Sequence, residues 1–490
     1  MLNSGLAFVF IALLCLSAFS ALALEASAQE SGGNVENFIA NILSPTALWK
    51  FDSFANYQTD VSTPIVINGL IYVAVNGDSD ARTLYCLNAS TGNEVWNSLT
   101  NVFAAFDIYT VSAAYVLSGN VAQLYADSSA TEGIISCLNA VDGHQLWTYT
   151  NGTGFGVPIL ADGVVYDEAS ENANSGAVYA LNVSNGAVIW ESPGPIRSIF
   201  DENSLIVSGG EVYAIGDDGP ISAFDACTGK NVWNYTMSIQ VSSFTTDGSR
   251  IYVGSETGEI LALNGSNGSV VYDNQIGSPI ESMITANNSV YTACSNGDIY
   301  AFDSSNGKLE WHYSTGSSVN SALSVDGYLY VSTNSGLSCL EGYNGNAVWS
   351  FKLSSAANPA YSDGIIYVGE GGPEFFSSNI QHSFYALDAT TGKILWSYSF
   401  PYVEFGFAVY RGTLYIGADY VTNLSPDNIG SGAVFAVKPI ISSLPLLPVT
   451  LWEATVSALR VASVVALIVV LVVVFLPRKK QKVGDRNEVA

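Results

Sequence analysis

Positive charge is scarce in this chain: its 490 residues hold 16 Lys and Arg against 43 Asp and Glu, a formal net charge of −27. Six of those bases, Arg460, Arg478, Lys479, Lys480, Lys482 and Arg486, lie at or beyond residue 460, which leaves ten for everything before. That balance excludes nucleic acid as a partner, because phosphate binding needs clustered Lys and Arg. Histidine is scarcer still. His144, His312 and His382 are dispersed, His144 behind a turn glycine and His312 behind a tryptophan, both outer-strand surface positions, so neither a hydrolytic triad nor a zinc centre is indicated. The six cysteines form no CxxC or CxxCH, which argues against a zinc ribbon or an attached haem. Asn76-x-Asp78-x-Asp80 imitates the start of a calcium loop, but Ala81 stands for the glycine and Leu87 for the closing acid, so the stretch reads as an acidic turn. Charged residues are 12% of the chain, whereas 48% is hydrophobic and 45 residues are glycine, the composition of many strands and turns around a large core.

Both ends read as membrane-directed segments. Leu6 to Leu24 is apolar and precedes Ala26-Ser27-Ala28, so residues 1–28 are expected to be a cleaved signal peptide, although its start lacks Lys and Arg. Leu13-Leu14 before Cys15 is a poor lipidation site and argues against a lipoprotein. At the other end Val461 to Leu476 is uninterrupted apolar sequence followed by Pro477-Arg478-Lys479-Lys480. Sixteen residues rise only about 24 Å against a core of about 30 Å, so Leu459 and a snorkelling Arg460 extend the span. The domain reading is then 29–45 N-terminal segment, 46–439 folded domain, 440–456 linker, 457–476 transmembrane helix and 477–490 basic cytoplasmic tail. The basic tail orients the protein as a single-pass type I protein of the cell membrane, its folded domain extracellular. Sequons at Asn88, Asn151, Asn182, Asn234, Asn264, Asn267, Asn287 and Asn423 fit a glycoprotein. Cys86, Cys137 and Cys339 read as small core residues first and disulfide candidates second.

Between the ends the chain repeats. Aligning on a glycine gives Gly92, Gly143, Gly186, Gly229, Gly268, Gly307, Gly345 and Gly392, each followed after four residues by an aromatic: Trp96, Trp147, Trp190, Trp233, Tyr272, Trp311, Trp349 and Trp396. Six residues before each glycine stands Ala or Cys, and four before stands Asn, Asp or, once, Glu341. Spacings of 51, 43, 43, 39, 39, 38 and 47 residues suit a four-stranded propeller blade. Each unit reads as strand A, a turn, strand B, a loop, strand C, a Thr-Gly turn and strand D carrying the aromatic. Such units must stack to bury both faces. Gly412 to Gly417 and Ala433 to Val437 supply strands of a further unit without its own D strand. Ala47-Leu48-Trp49-Lys50-Phe51 is expected to complete it and close the ring. The fold class is therefore an all-β single β-propeller of eight or nine blades, nine by literal count.

The motif Ala-x-Asp-x-x-Thr-Gly-x-x-x-Trp, complete at Ala386 to Trp396, resembles the tryptophan-docking motif of pyrroloquinoline-quinone (PQQ) repeat proteins, a superfamily of quinoprotein dehydrogenases and non-enzymatic propellers. The resemblance covers about residues 46 to 439 and implies that each Trp, with Trp49 among them, packs between blades. It also implies that quinoprotein enzymes pair PQQ with Ca²⁺, a catalytic Asp, adjacent disulfide-bonded cysteines and cationic groups. Here no two cysteines are adjacent, and Lys230, Lys308 and Lys393 sit at the blade rim, leaving Arg82, Arg197 and few others to hold a tricarboxylate. No cofactor, metal or catalytic residue is therefore assigned.

Function is expected in the loops between strands B and C. They are short in the units ending at Trp233, Tyr272, Trp311 and Trp349, and long at Asn76 to Arg82, Ala126 to Gly133, Asp167 to Gly176, Glu370 to Ser383 and Ala418 to Gly432. Around a closed ring those five are consecutive. They place Asp78, Asp80, Asp167, Glu168, Glu171, Glu374, Phe375, Phe376, Asp419 and Tyr420 on an acidic, partly aromatic rim for a protein or glycan partner at the cell surface. The resulting reading is a membrane-anchored binding or scaffolding propeller. The alternatives are a membrane-tethered PQQ-dependent oxidoreductase and a structural cell-envelope component.

Overall fold

Alternating Tyr, Leu and Ala build the repeat as three antiparallel strands: Ile365–Glu370, His382–Asp388 and Ile394–Phe400. Tyr367 lies opposite Ala386, which in turn lies opposite Trp396, and Ala360–Ser362 pairs on the far side as strand A. The Thr-Gly turn closes on itself. Asp388 Oδ1 accepts hydrogen bonds from the Thr391 N–H at 2.8 Å and hydroxyl at 2.7 Å, and Gly392, at φ +68°, donates its N–H to the Asp388 carbonyl. This explains the Asn or Asp four residues before seven of the eight glycines.

The computed structural model describes residues 45–51, 60–76, 82–100, 114–117, 120–123, 134–150, 158–172, 175–194, 205–216, 219–237, 240–370, 382–400, 403–419 and 433–439. Among them are nine sheets, each in the order A-B-C-D, numbered here one to nine from the sheet that starts at Asp60. In sheet one strand A is broken into Asp60–Val61 and Ile65–Ile67, with Pro64, which has no N–H to donate, at the break. Sheet nine has the order Val403–Tyr410, Thr413–Asp419, Ala433–Pro439 and, as its last strand, the N-terminal Pro45–Phe51. All nine sheets lie in one unit, Pro45–Lys438. A strands of neighbouring sheets touch, for example Val241–Thr246 with Ile280–Ala286 and the latter with Val319–Val325, so the A edges converge and the D edges point outward.

A β-bulge recurs where strands C and D pair. Cys86 faces Trp96 while Leu87 faces Glu94, leaving Val95 as the extra residue, and the same shift recurs in sheets two to eight. The bulge increases the local twist and blunts the outer edge. It also accounts for the exposed aliphatics Val95, Leu146, Ile189, Val232, Val271 and Val348, which are the extra residues themselves.

The four short B–C connections are as expected. The segment from Asp167 to Gly176 differs from the expected loop: Val164–Asn172 and Ser175–Asn182 pair as far as Asn172 opposite Ser175, a long hairpin. Acidic and small polar residues are poor strand formers, but a partner strand already in register overrides that preference. No helix among the described residues is long and apolar enough to cross a membrane. The signal peptide at 1–28, the span at 457–476 and the basic tail lie outside the described residues. Cys86, Cys137, Cys294 and Cys339 are buried and Cys227 exposed, and none of the five is in a disulfide among the described residues. Burial pushes Cys86 and Cys339 up to about 12 and Cys137 up to about 11, so these thiols are packing groups and not nucleophiles.

Candidate functional site

The repeat residues converge on the seams between sheets. Each small residue of strand C lies directly opposite the aromatic of strand D, as Ala180 does Trp190. The indole then reaches the next sheet: Trp96 donates to the Ala140 carbonyl at 2.8 Å, Trp190 to Ala226 at 2.9 Å, Trp311 to Gly342 at 2.8 Å and Trp349 to Ala389 at 3.0 Å. Trp147 and Trp233 do the same to Val183 and Gly265. Trp49, from the N-terminal strand, donates to Ala89 of sheet one at 3.0 Å. The acceptor always lies three residues before the turn glycine. That glycine is required twice over: Gly229 has φ +69°, and a Cβ there would lie 2.6 Å from Trp190 Cδ2.

A second donor shares the same carbonyl, and the sequence reading missed it. Tyr166 donates to Ala226 at 3.1 Å, Tyr291 to Gly342 at 3.1 Å, Tyr330 to Ala389 at 3.2 Å and Tyr415 to Ala89 at 3.2 Å. These strand B tyrosines also pack their rings on the seam indoles, with centroids 5.7 to 6.0 Å apart for Tyr291–Trp311 and Trp49–Tyr415. The signal was present: a Tyr stands three residues after the A–B turn glycine, as at Gly163 and Tyr166 or Gly327 and Tyr330.

The proposed rim is only partly visible. Asp78, Asp80, Glu374, Phe375, Phe376 and Tyr420 lie outside the described residues. Glu171 and Asp419 are at strand ends. Asp167 and Glu168 are not on a loop tip: they are consecutive strand B residues, fully buried, and the Glu168 N–H donates to Asp167 Oδ1 at 2.8 Å. No other sheet carries an acid there, Val253-Gly254 and Ile416-Gly417 being examples, so sheet three departs from its own repeat. Glu370, at the end of strand B of sheet eight, has a structural task. Its carboxylate accepts from the Ser354 N–H and hydroxyl and from the Tyr385 hydroxyl, tying the crossover from sheet seven to strand B of sheet eight.

A PQQ tricarboxylate would need several cations aimed at one place. The described bases lie one to a sheet in sheets one and four to eight, with Lys50, Arg411 and Lys438 in sheet nine, and none is on a converging A strand. Among the described residues, then, the cationic side of such a site does not fit, and no step is derived through the quinone.

Comparison with known proteins gives a consistent family. The family profile described as outer membrane protein assembly factor BamB matches residues 39–219, 217–336 and 314–467. Outer membrane protein assembly factor BamB of Yersinia pestis is 30% identical over 166 residues, 32% of this chain and 40% of that protein. Tetrathionate hydrolase of Acidithiobacillus ferrooxidans is 27% identical over 212 residues, 39% of each. The chain thus spans about two-fifths of the length of these relatives. Among solved structures, BamB from Moraxella catarrhalis is 18% identical, covering 67% of this chain and 94% of that one with a TM-score of 0.46.

Proposed function

We infer the function from one premise: the chain belongs to the PQQ-repeat β-propeller family, whose profile is described as outer membrane protein assembly factor BamB. On that premise the protein is a binding or scaffolding module of the cell envelope. Its nine sheets are the blades of a ring closed by Pro45–Phe51, held at the cell surface by the apolar segment 457–476 with the propeller outside. The supporting observation is how the repeat residues are used. The tryptophans, the strand B tyrosines and the turn glycines are all engaged in seams. Variation between units is left to the B–C connections, short in sheets four to seven, an extended hairpin in sheet three and long in the four others.

Partner recognition is assigned to that crescent of connections, with Glu374, Phe375 and Phe376 in the loop from Glu370 to Ser383. Capture of surface partners by the intact chain and by one lacking residues 374–379 tests this. Loss of a partner is expected, and an unchanged partner set would reject that loop. The second reading is catalytic, a membrane-tethered PQQ-dependent oxidoreductase: similarity to an enzyme, the tetrathionate hydrolase, supports catalysis as a class, while the scattered bases count against the quinone. Reconstitution with PQQ and Ca²⁺, followed by absorbance and dye reduction, separates the two: no uptake would remove the enzyme.

A further inference from the structure

Seven Asn-Gly pairs lie within the described residues, at Asn68, Asn185, Asn264, Asn267, Asn296, Asn306 and Asn344. An asparagine before a glycine is chemically labile when the glycine N–H is free, because that nitrogen attacks the side-chain amide carbon and glycine has no side chain to hinder it. In six of the pairs the fold engages both reactants. The glycine N–H donates to a backbone carbonyl at 2.8 to 2.9 Å, as Gly186 does to Asn182, Gly265 to Ser249 and Gly345 to Glu341. The asparagine Oδ1 accepts the N–H two residues on at 2.8 to 3.1 Å, which pins the amide.

Asn68-Gly69 makes neither bond among the described residues. It is the A–B turn of sheet one, two residues with φ +51° and +80° between Ile67 and Leu70, which pair with each other. The flanking strand residues close such a two-residue turn, and its second N–H is left over. Asn68 is also exposed. Asp162, Asp326 and Asp363 hold the same position in sheets three, seven and eight, but an ionised carboxylate is a poorer electrophile than an amide. Asn287 holds it in sheet six, before Asn288, whose side chain hinders the attack.

This turn supports the seam between sheets nine and one. The Gly69 carbonyl accepts the Ala89 N–H at 2.9 Å, and the Ala89 carbonyl is the acceptor of both the Trp49 indole and the Tyr415 hydroxyl. We propose that Asn68 is a site of spontaneous deamidation, and that the isoaspartate formed there loosens this seam. The Gly69 nitrogen bonds to Asn68 Cγ, the Cγ–Nδ2 bond breaks, and Nδ2 leaves as ammonia with the proton that Gly69 gives up. Water then opens the succinimide. Attack at Cγ gives aspartate, and attack at the main-chain carbonyl gives isoaspartate, whose backbone runs through Cβ and is longer by one methylene. That insertion moves the Gly69 carbonyl off the Ala89 N–H. Water is the only co-reactant, and the reading of partner binding plays no part.

The test holds the full chain in detergent for days in warm, mildly alkaline buffer and follows each pair by peptide mapping with mass spectrometry. Asn68 is expected to convert at least about tenfold faster than any of the other six, because each of those must first open its hydrogen bonds. In urea all seven should convert at similar rates. As the Asn68 amide disappears from the folded chain the Tm should fall by a few degrees. Asn68→Gly suits the turn and has nothing to cyclise, so its Tm should hold through the same incubation. An Asn68 that stays an amide, another of the seven that converts as fast in the folded chain, a preference for Asn68 that persists in urea, or an equal fall in Tm for Asn68→Gly overturns the proposal.

Discussion

The seam between sheets three and four and the seam between sheets five and six follow one plan to different ends. In the first, Trp190 and Tyr166 both donate to the Ala226 carbonyl, and Gly229 receives the indole face. In the second, Tyr252 reaches the Ser304 carbonyl at 3.0 Å but also the Asp247 carboxylate, while Tyr272 leaves its hydroxyl unused. A carbonyl has two lone pairs, so the first seam satisfies its acceptor fully and the second only in part. The lesson is that the ring packing and the hydrogen bond of a seam are separable: Tyr272 keeps the first without the second.

The largest break in that comparison is Trp190→Ala. It removes a buried indole, one latch donor and the ring partner of Tyr166, and should cost about 3 to 5 kcal/mol in chemical denaturation. Tyr272→Ala should cost less, since it removes no hydrogen bond. Equal losses would show that the indole bond contributes nothing at the seam. Gly229→Ala comes next, at about 2 to 4 kcal/mol, because the methyl would meet Trp190 and the backbone would be strained as well. Gly210→Ala is its control: φ is +86° but nothing lies within 4 Å of the added Cβ. Only the conformational cost of about 1 kcal/mol is expected there. Matching losses would remove the steric role of the docking glycine.

Much of this was legible in the sequence, and for a physical reason. Trp, turn Gly and the small residue opposite the Trp each have a steric task that few residues can perform, so they repeat. Their spacing gave the sheets, and the pairing of Ala47–Phe51 with the C-terminal strand followed from counting. Tyr166 and its equivalents repeat as well, yet a Tyr in a strand is ordinary, and only its hydroxyl at the Ala226 carbonyl shows the function. Asp167 and Glu168 read as loop because acids rarely enter strands, but the facing strand Ser175–Asn182 supplied the pairing. The cleft between the A–B turns of sheets five and six was invisible, because it joins residues 247, 287 and 303 of two sheets.

A smaller effect separates the two donors of one latch. Tyr166→Phe leaves Trp190 on the Ala226 carbonyl, so no buried acceptor is stranded and the loss should be about 1 kcal/mol. A loss approaching that of Trp190→Ala would mean that the hydroxyl, not the indole, holds the seam.

The smallest expected effect is one of pH, and it belongs to the loosened seam. Burial would raise the Asp247 carboxyl, but hydrogen bonds from Tyr252, Ser249 and Arg250 outweigh it and lower it from 3.8 to about 2. A carboxyl lowered by folding contributes stability that is complete above its unfolded value and disappears as pH falls through the folded one. The wild-type chain should therefore exceed Asp247→Asn in Tm at neutral pH, and that margin should shrink as pH falls from about 4 towards about 2. A margin constant across this range would place the acid sensitivity elsewhere.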